Sequence, residues 1–189
     1  MRIVGGVHKG RNIIAPEGDR VRPTGDRIRE SLFNILAHGN FDNFSLEGAR
    51  VLDLFAGTGA LGIEALSRGA SFALFVDDHA ESRGLIRENV ETLGLTGHSK
   101  LYKRDATRLG PRPGSVGPQF SLVFVDPPYK KGLAELALLS AQQGEWLVPD
   151  ALCVVEESVE ADFAAPEGFS EIDRRRYGHT EIVFLTAPL

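Results

Sequence analysis

The chain has 189 residues and one cysteine, Cys153. That cysteine sits inside the apolar run Ala151 to Val155, so neither an intrachain disulfide nor a cysteine-cluster zinc site can form, and a reducing, cytoplasmic setting is expected. The five histidines form no i, i+4 pair, and no metal is expected. No apolar stretch approaches the roughly 20 residues that span a bilayer. The opening Met1 to Gly6 has no signal-peptide core, so neither export by that route nor a membrane location is expected. Repeats at a period of about 20 to 50 residues are missing, which excludes solenoids and propellers. Net positive charge is missing too: 21 Lys and Arg stand against 26 Asp and Glu, for −5. Composition as a whole therefore gives no sign of a nucleic-acid or anionic-membrane partner.

What is present is 42% hydrophobic and 25% charged, in a length that suits one buried core, so a single domain over residues 1–189 is expected. The charge is unevenly placed. Residues 1–30 carry seven Lys or Arg against four acids, leaving −8 on the rest. A basic N-terminal extension over residues 1–40 on an acidic body suits a phosphate-bearing substrate at one face, although an ordinary solvated face would look the same.

Hydrophobic patterning alternates between two periods. Ile28, Leu32, Ile35 and Leu36 fall on one helical stripe that Thr24 can cap and Gly39 can stop. Strands are expected at Arg50 to Phe55, Phe72 to Asp77, Ser99 to Lys103 and Ser121 to Asp126. Helices are expected at Ala60 to Arg68, Ala80 to Leu93 and Gly132 to Gln142. The unbroken runs Val51 to Phe55 and Leu122 to Val125 suit strands covered on both faces of a parallel sheet. Ala151 to Val155 then leads into Glu171 to Arg176 and Thr180 to Leu185, joined by Tyr177-Gly178-His179 as a closing hairpin. The expected fold is α/β, a mostly parallel sheet of βαβ units closed by antiparallel strands.

Two motifs carry chemistry. The first runs from Asp53 through the Gly-rich turn to Gly62, where Gly57, Gly59 and Gly62 match the spacing of a dinucleotide loop. Asp77, 20 positions after Gly57, can bind a ribose. Asp53 discriminates between cofactors. A carboxylate before the turn repels a pyrophosphate and suits a nucleoside cofactor bearing a cationic amino acid, unless it merely caps backbone amides. The second motif is Asp126-Pro127-Pro128-Tyr129 at the end of a buried strand. Two prolines hold the chain extended, which fixes an acid and a carbonyl beside an aromatic face, a receptor for a planar heterocycle with an amino group. A Pro-rich turn with an exposed tyrosine is the plainer alternative.

Asp53-x-Phe55-x-Gly57-x-Gly59, Asp77, Asp105-Ala106 and Asp126 to Tyr129, in that order, resemble the class I S-adenosylmethionine-dependent methyltransferases that act on exocyclic amines. Arg2 to Gly6, Lys9-Gly10-Arg11, Arg22-Pro23-Thr24, Arg27, Arg29-Glu30, Leu32 to Asn34 and Tyr177-Gly178 narrow the resemblance to the RsmD family, bacterial small-subunit ribosomal RNA guanine-N2 methyltransferases. The resemblance implies a Rossmann-like fold with a mostly parallel seven-stranded sheet and helices on both faces. It implies that Asp53 and the turn Gly57, Thr58 and Gly59 hold the methionine portion of the cofactor, Asp77 the ribose, and Asp105 with Ala106 the adenine, with Phe55 also among the cofactor-binding residues. Asp126, Pro127, Pro128 and Tyr129 would hold the target base. Where the family often has Glu, this chain has Asp77, with Asp78 beside it as a second candidate. Arg2, Lys9, Arg11, Arg22, Arg27 and Arg29 could meet 16S rRNA in an assembling 30S subunit, with Arg174 to Arg176 as a second patch; Arg27 and Arg29 could instead pair with Asp26 and Glu30. A monomer is expected. Competing readings are an adenine-N6 or cytosine-N4 methyltransferase on DNA, an NAD-dependent oxidoreductase, and a non-catalytic RNA-binding module.

Overall fold

A computed structural model describes residues 1–16, 25–39, 41–42, 44–129 and 132–189. The apolar runs form strands β1 (Arg50–Leu54), β2 (Phe72–Val76), β3 (Ser99–Tyr102), β4 (Phe120–Val125), β5 (Leu147–Ser158), β6 (Ser170–Tyr177) and β7 (Thr180–Thr186). They make one seven-stranded sheet in the order β3-β2-β1-β4-β5-β7-β6. β1 to β5 are parallel, and β7 runs antiparallel to both its neighbours. Alternate residues of each central strand belong to two separate cores. Helices α1 (Asp26–His38), α2 (Ala60–Ser67) and α3 (Ala80–Thr92) cover one face, and α4 (Leu133–Gln143) covers the other. Burial on both faces is why β1 and β4 read as unbroken hydrophobic runs. From β1 the chain winds first outward to β2 and β3, then back across to β4. The crevice where strand order reverses lies at the carboxyl ends of β1 and β4.

Most elements fall within about a residue of the expected bounds, and two differences stand out. α1 begins at Asp26, with Gly25 in the capping position and no side-chain cap; the expected cap Thr24 lies outside the described residues. β5 is 12 residues long rather than five. On one side it passes Pro149-Asp150 at a register irregularity opposite β4. On the other it continues through Glu156, Glu157 and Ser158, which pair with Ile182, Glu181 and Thr180 of β7. Charged residues end a hydrophobic run in the sequence, but the ladder with β7 carries the strand on past them.

The basic N-terminal stretch is folded onto the body. Arg2 bridges Asn12, and the turn brings Ile3 and Ile13 into the core at 1% and 2% exposure. Val4 N–H donates to Glu64 Oε2 at 2.9 Å, and Ser67 Oγ donates to the Gly5 carbonyl at 2.6 Å, so the hairpin is fastened to α2. Among the described residues, no helix is long and apolar enough to cross a membrane.

Candidate active site at the carboxyl edge of the sheet

β1 ends in a tight turn. Phe55, Gly57 and Gly59 all take left-handed backbone conformations, with φ of +57°, +58° and +79°. The glycines adopt these freely, whereas Phe55 is strained, a cost typical of functional loops. Asp53, 1% exposed, lies just before the turn and accepts a hydrogen bond from Gly62 N–H in α2 at 2.9 Å. A side chain at Gly62 would run into the Phe75 ring, so this close approach of helix and strand requires glycine. Burial pushes the Asp53 carboxyl up to about 8, against the pull of the Gly62 N–H and with the help of nearby Asp77. The Gly62 amide that Asp53 occupies belongs to the helix start where a dinucleotide's pyrophosphate would dock, which counts against the oxidoreductase reading.

The next strands bring two more acids to the same edge. Asp77, 8% exposed, follows β2 and straps the loops together. One oxygen accepts from Gly57 N–H and the other from His79 N–H, both at 2.9 Å. Asp78 is turned outward, its side chain 56% exposed and 2.8 Å from His79 Nδ1. Asp77 is therefore the acid in contact with the Gly-rich turn. Beyond β3, Asp105 accepts from Thr107 N–H at 2.8 Å and Thr107 Oγ1 at 2.7 Å, and Ala106 is buried. Asp53, Asp77 and Asp105 thus set acceptors at the ends of three adjacent strands. That set fits S-adenosylmethionine, whose ammonium, ribose diol and adenine amine all donate hydrogen bonds.

The motif Asp126 to Tyr129 extends the row. Asp126 is half-buried at the end of β4, Pro127 is buried, and Tyr129 is half-buried. The Tyr129 hydroxyl donates to Glu156 Oε1 at 3.1 Å and lies 3.2 Å from Thr180 Oγ1. Pairing of Val125 with Val155 places Asp126 and Glu156 side by side on adjacent strands. Burial pushes the Asp126 carboxyl well above the usual carboxylate range, reinforced by Glu156, Asp53 and Glu157. Burial likewise pushes Tyr129 up to about 12. Glu156 and Thr180 were missed in the sequence, where Tyr129 counted only as an aromatic face. The available signal was a pair of acids closing the apolar run of β5.

The basic residues divide sharply. Arg29 is fully buried; it contacts the Arg2 carbonyl and lies 2.9 Å from Asp26 Oδ1 and 3.7 Å from the equally buried Glu64. It therefore cannot serve as the expected RNA contact, and the pairing alternative holds for it. Arg11 donates to the Thr92 carbonyl at the end of α3 at 2.9 Å. Arg2, Lys9 and Arg27 are exposed, while Arg22 lies outside the described residues. Arg27 lines a groove of about 630 Å³ with Ser31, Asn34, His38 and Arg175, between α1 and the closing hairpin. Ser31 and Tyr177 hold that hairpin to α1 through a 2.8 Å hydroxyl contact. In the second patch, Arg174 pairs with Glu171 and Glu181, and Arg175 with Asp173.

The comparisons with known proteins agree with this architecture. The family model Conserved hypothetical protein 95 matches residues 1–186. Ribosomal RNA small subunit methyltransferase D of Escherichia coli strain K12 is 40% identical over 161 residues, covering 85% of this chain and 76% of that protein. The protein of the same name from Haemophilus influenzae is 31% identical over 179 residues, covering 94% and 89%. Among solved structures, yhhF of Escherichia coli, a candidate methyltransferase, superposes with a TM-score of 0.82 at 30% identity, covering all of this chain and 98% of that one. The chain belongs to the family of Conserved hypothetical protein 95, the RsmD family.

Proposed function

We propose that the protein transfers a methyl group to the exocyclic N2 amine of a guanine in small-subunit ribosomal RNA. S-adenosylmethionine is the cofactor and supplies, when bound, a methyl carbon made electrophilic by the sulfonium. The observation that carries the reading is the row of acids at one sheet edge, with Asp53, Asp77 and Asp105 on the cofactor side and Asp126 to Tyr129 one strand further. The relatives' names, which specify small-subunit ribosomal RNA, supply the substrate class.

The chain's residues act by positioning. A guanine amine is a weak nucleophile because its lone pair is delocalised into the ring. Asp126 and the Pro127 carbonyl accept its N–H bonds, turn the lone pair toward the methyl, and stabilise positive charge as it develops on nitrogen. As the N–C bond forms, Asp126 takes the departing proton. A carboxylate raised above its ordinary range is a better base for that step. Tyr129 offers its ring face to the base. A paired base cannot reach this pocket, so the target lies in a loop or flips out. The RNA approaches over α1 and the N-terminal hairpin, the side on which Arg2, Lys9 and Arg27 are exposed. The substrate is the assembling small subunit in the cytoplasm, where ribosomal proteins share the docking, and the enzyme acts as a monomer.

The test is transfer of labelled methyl to small-subunit particles from cells lacking the protein, followed by nucleoside analysis. N2-methylguanosine is expected. N6-methyladenosine or N4-methylcytidine would leave the pocket intact and overturn the base.

A further inference from the structure

We propose that Glu156 is a specificity-determining residue that accepts the N1–H of the target guanine, so that Asp126 and Glu156 together offer two acceptors to the adjacent N2–H and N1–H donors. This rests on the guanine-N2 reading above and deepens it. The geometry begins with register. Phe124 and Val154, two residues before Asp126 and Glu156, pack in the core beneath α1 and α2, so both acids return to that same side of the sheet. Tyr129, the aromatic residue of the base motif, donates its hydroxyl to Glu156 Oε1 and so ties that carboxylate to the motif. Glu156 is 6% exposed, which makes an acceptor–acceptor clash there expensive.

Base chemistry decides what such a pair of acceptors can recognise. Guanine presents N2–H beside N1–H, two donors on one edge. Adenine presents N6–H beside an unprotonated N1, and cytosine N4–H beside an unprotonated N3. Either would set a ring lone pair against the Glu156 carboxylate, which when ionised only accepts. Glu156 thus separates guanine from the two bases that the Asp126 to Tyr129 motif alone leaves open. The crowding of Asp126 with Glu156, Asp53 and Glu157 supports the assignment, because two N–H donors arriving together offset the negative charge gathered there.

The experiment uses small-subunit RNA assembled with its proteins and carrying, at the mapped target position, either guanine or 2-aminopurine. 2-Aminopurine keeps the exocyclic 2-amine but has no hydrogen on N1. Wild-type enzyme should prefer guanine by about 100-fold or more in kcat/KM, as sites built for a hydrogen-bond donor do. Glu156→Gln, whose amide can donate to the bare N1, should shrink that preference at least tenfold while cofactor affinity by calorimetry stays unchanged. Glu156→Asp, which withdraws the acceptor by one methylene, should lower kcat/KM for guanine and spare 2-aminopurine. A wild-type preference under about threefold overturns the proposal. So does an unchanged preference in variants that still bind cofactor. A wild-type product other than N2-methylguanosine from the guanine RNA would instead overturn the reading beneath it.

Discussion

In the role proposed for it, Asp126 acts only as charge develops, so Asp126→Ala should lower kcat by about 10²- to 10³-fold and change either KM far less. Steady-state kinetics with saturating cofactor check this; near-normal kcat would mean the pocket is misassigned. Tyr129→Ala should weaken base capture by about 1 to 3 kcal/mol through the missing stack. Tyr129→Phe keeps the ring but removes the hydroxyl that donates to Glu156 at 3.1 Å, so its effect should fall on the choice between guanine and 2-aminopurine more than on kcat. Asp53 gives a pH signature. Its native carboxyl keeps its proton up to about pH 8, whereas the unfolded chain's loses it near 3.9. The folded state therefore binds more protons between those values, and this group's contribution to stability is lost as pH rises from about 4 to 8. A cationic ligand favours the ionised form, so binding S-adenosylmethionine should release a proton and tighten with rising pH until about 8. Calorimetry in buffers of different ionisation enthalpy reads this directly, and Asp53→Asn should abolish the dependence.

At the scale of elements, the N-terminal hairpin, α1 and α2 are joined by one buried ionic knot. Glu64 accepts from Val4 N–H and, at 2.7 Å, from Arg68, with Arg29 alongside. Arg29→Met would keep the volume but remove one of the two cations beside the buried Glu64, and should cost about 3 kcal/mol in urea unfolding, the lower end for breaking a buried pair because Arg68 stays at 2.7 Å. The same variant should leave the salt dependence of RNA binding unaltered, which separates a structural arginine from a phosphate contact. In the sequence Arg29 is one basic residue among seven, and only its position on the α1 face packed against α2 sets it apart. β5 behaves in the complementary way. Its apolar run was legible, but its last three residues, two of them acids, are strand only because β7 pairs with them.

For the whole molecule, the question is how an acidic protein holds a polyanion. The exposed cations Arg2, Lys9 and Arg27 lie on the hairpin and α1, whereas the carboxylates of the crevice follow the carboxyl ends of the strands. Neutralising all three should raise KM for RNA and reduce the slope of log affinity against log salt by roughly one for each phosphate no longer neutralised, with cofactor affinity unchanged. A fall in activity at an unchanged slope would mean that these residues only support the fold.

Strand and helix positions, the Gly-rich turn and the Asp126 to Tyr129 motif were legible from residue order alone. Each depends on neighbours within a few positions: unbroken apolar runs, glycines where φ turns positive, prolines that hold a chain extended. Which acids share a pocket, and which arginine is buried, depend on side chains far apart in the chain. Tyr129 reaches Glu156 across 27 positions and Thr180 across 51, and Arg29 lies against Glu64 and Arg2. Those meetings are set by strand order and register, and by the packing of α1 on α2. Local pattern carries no trace of them, because the energy that fixes them comes from burying both faces of the sheet at once.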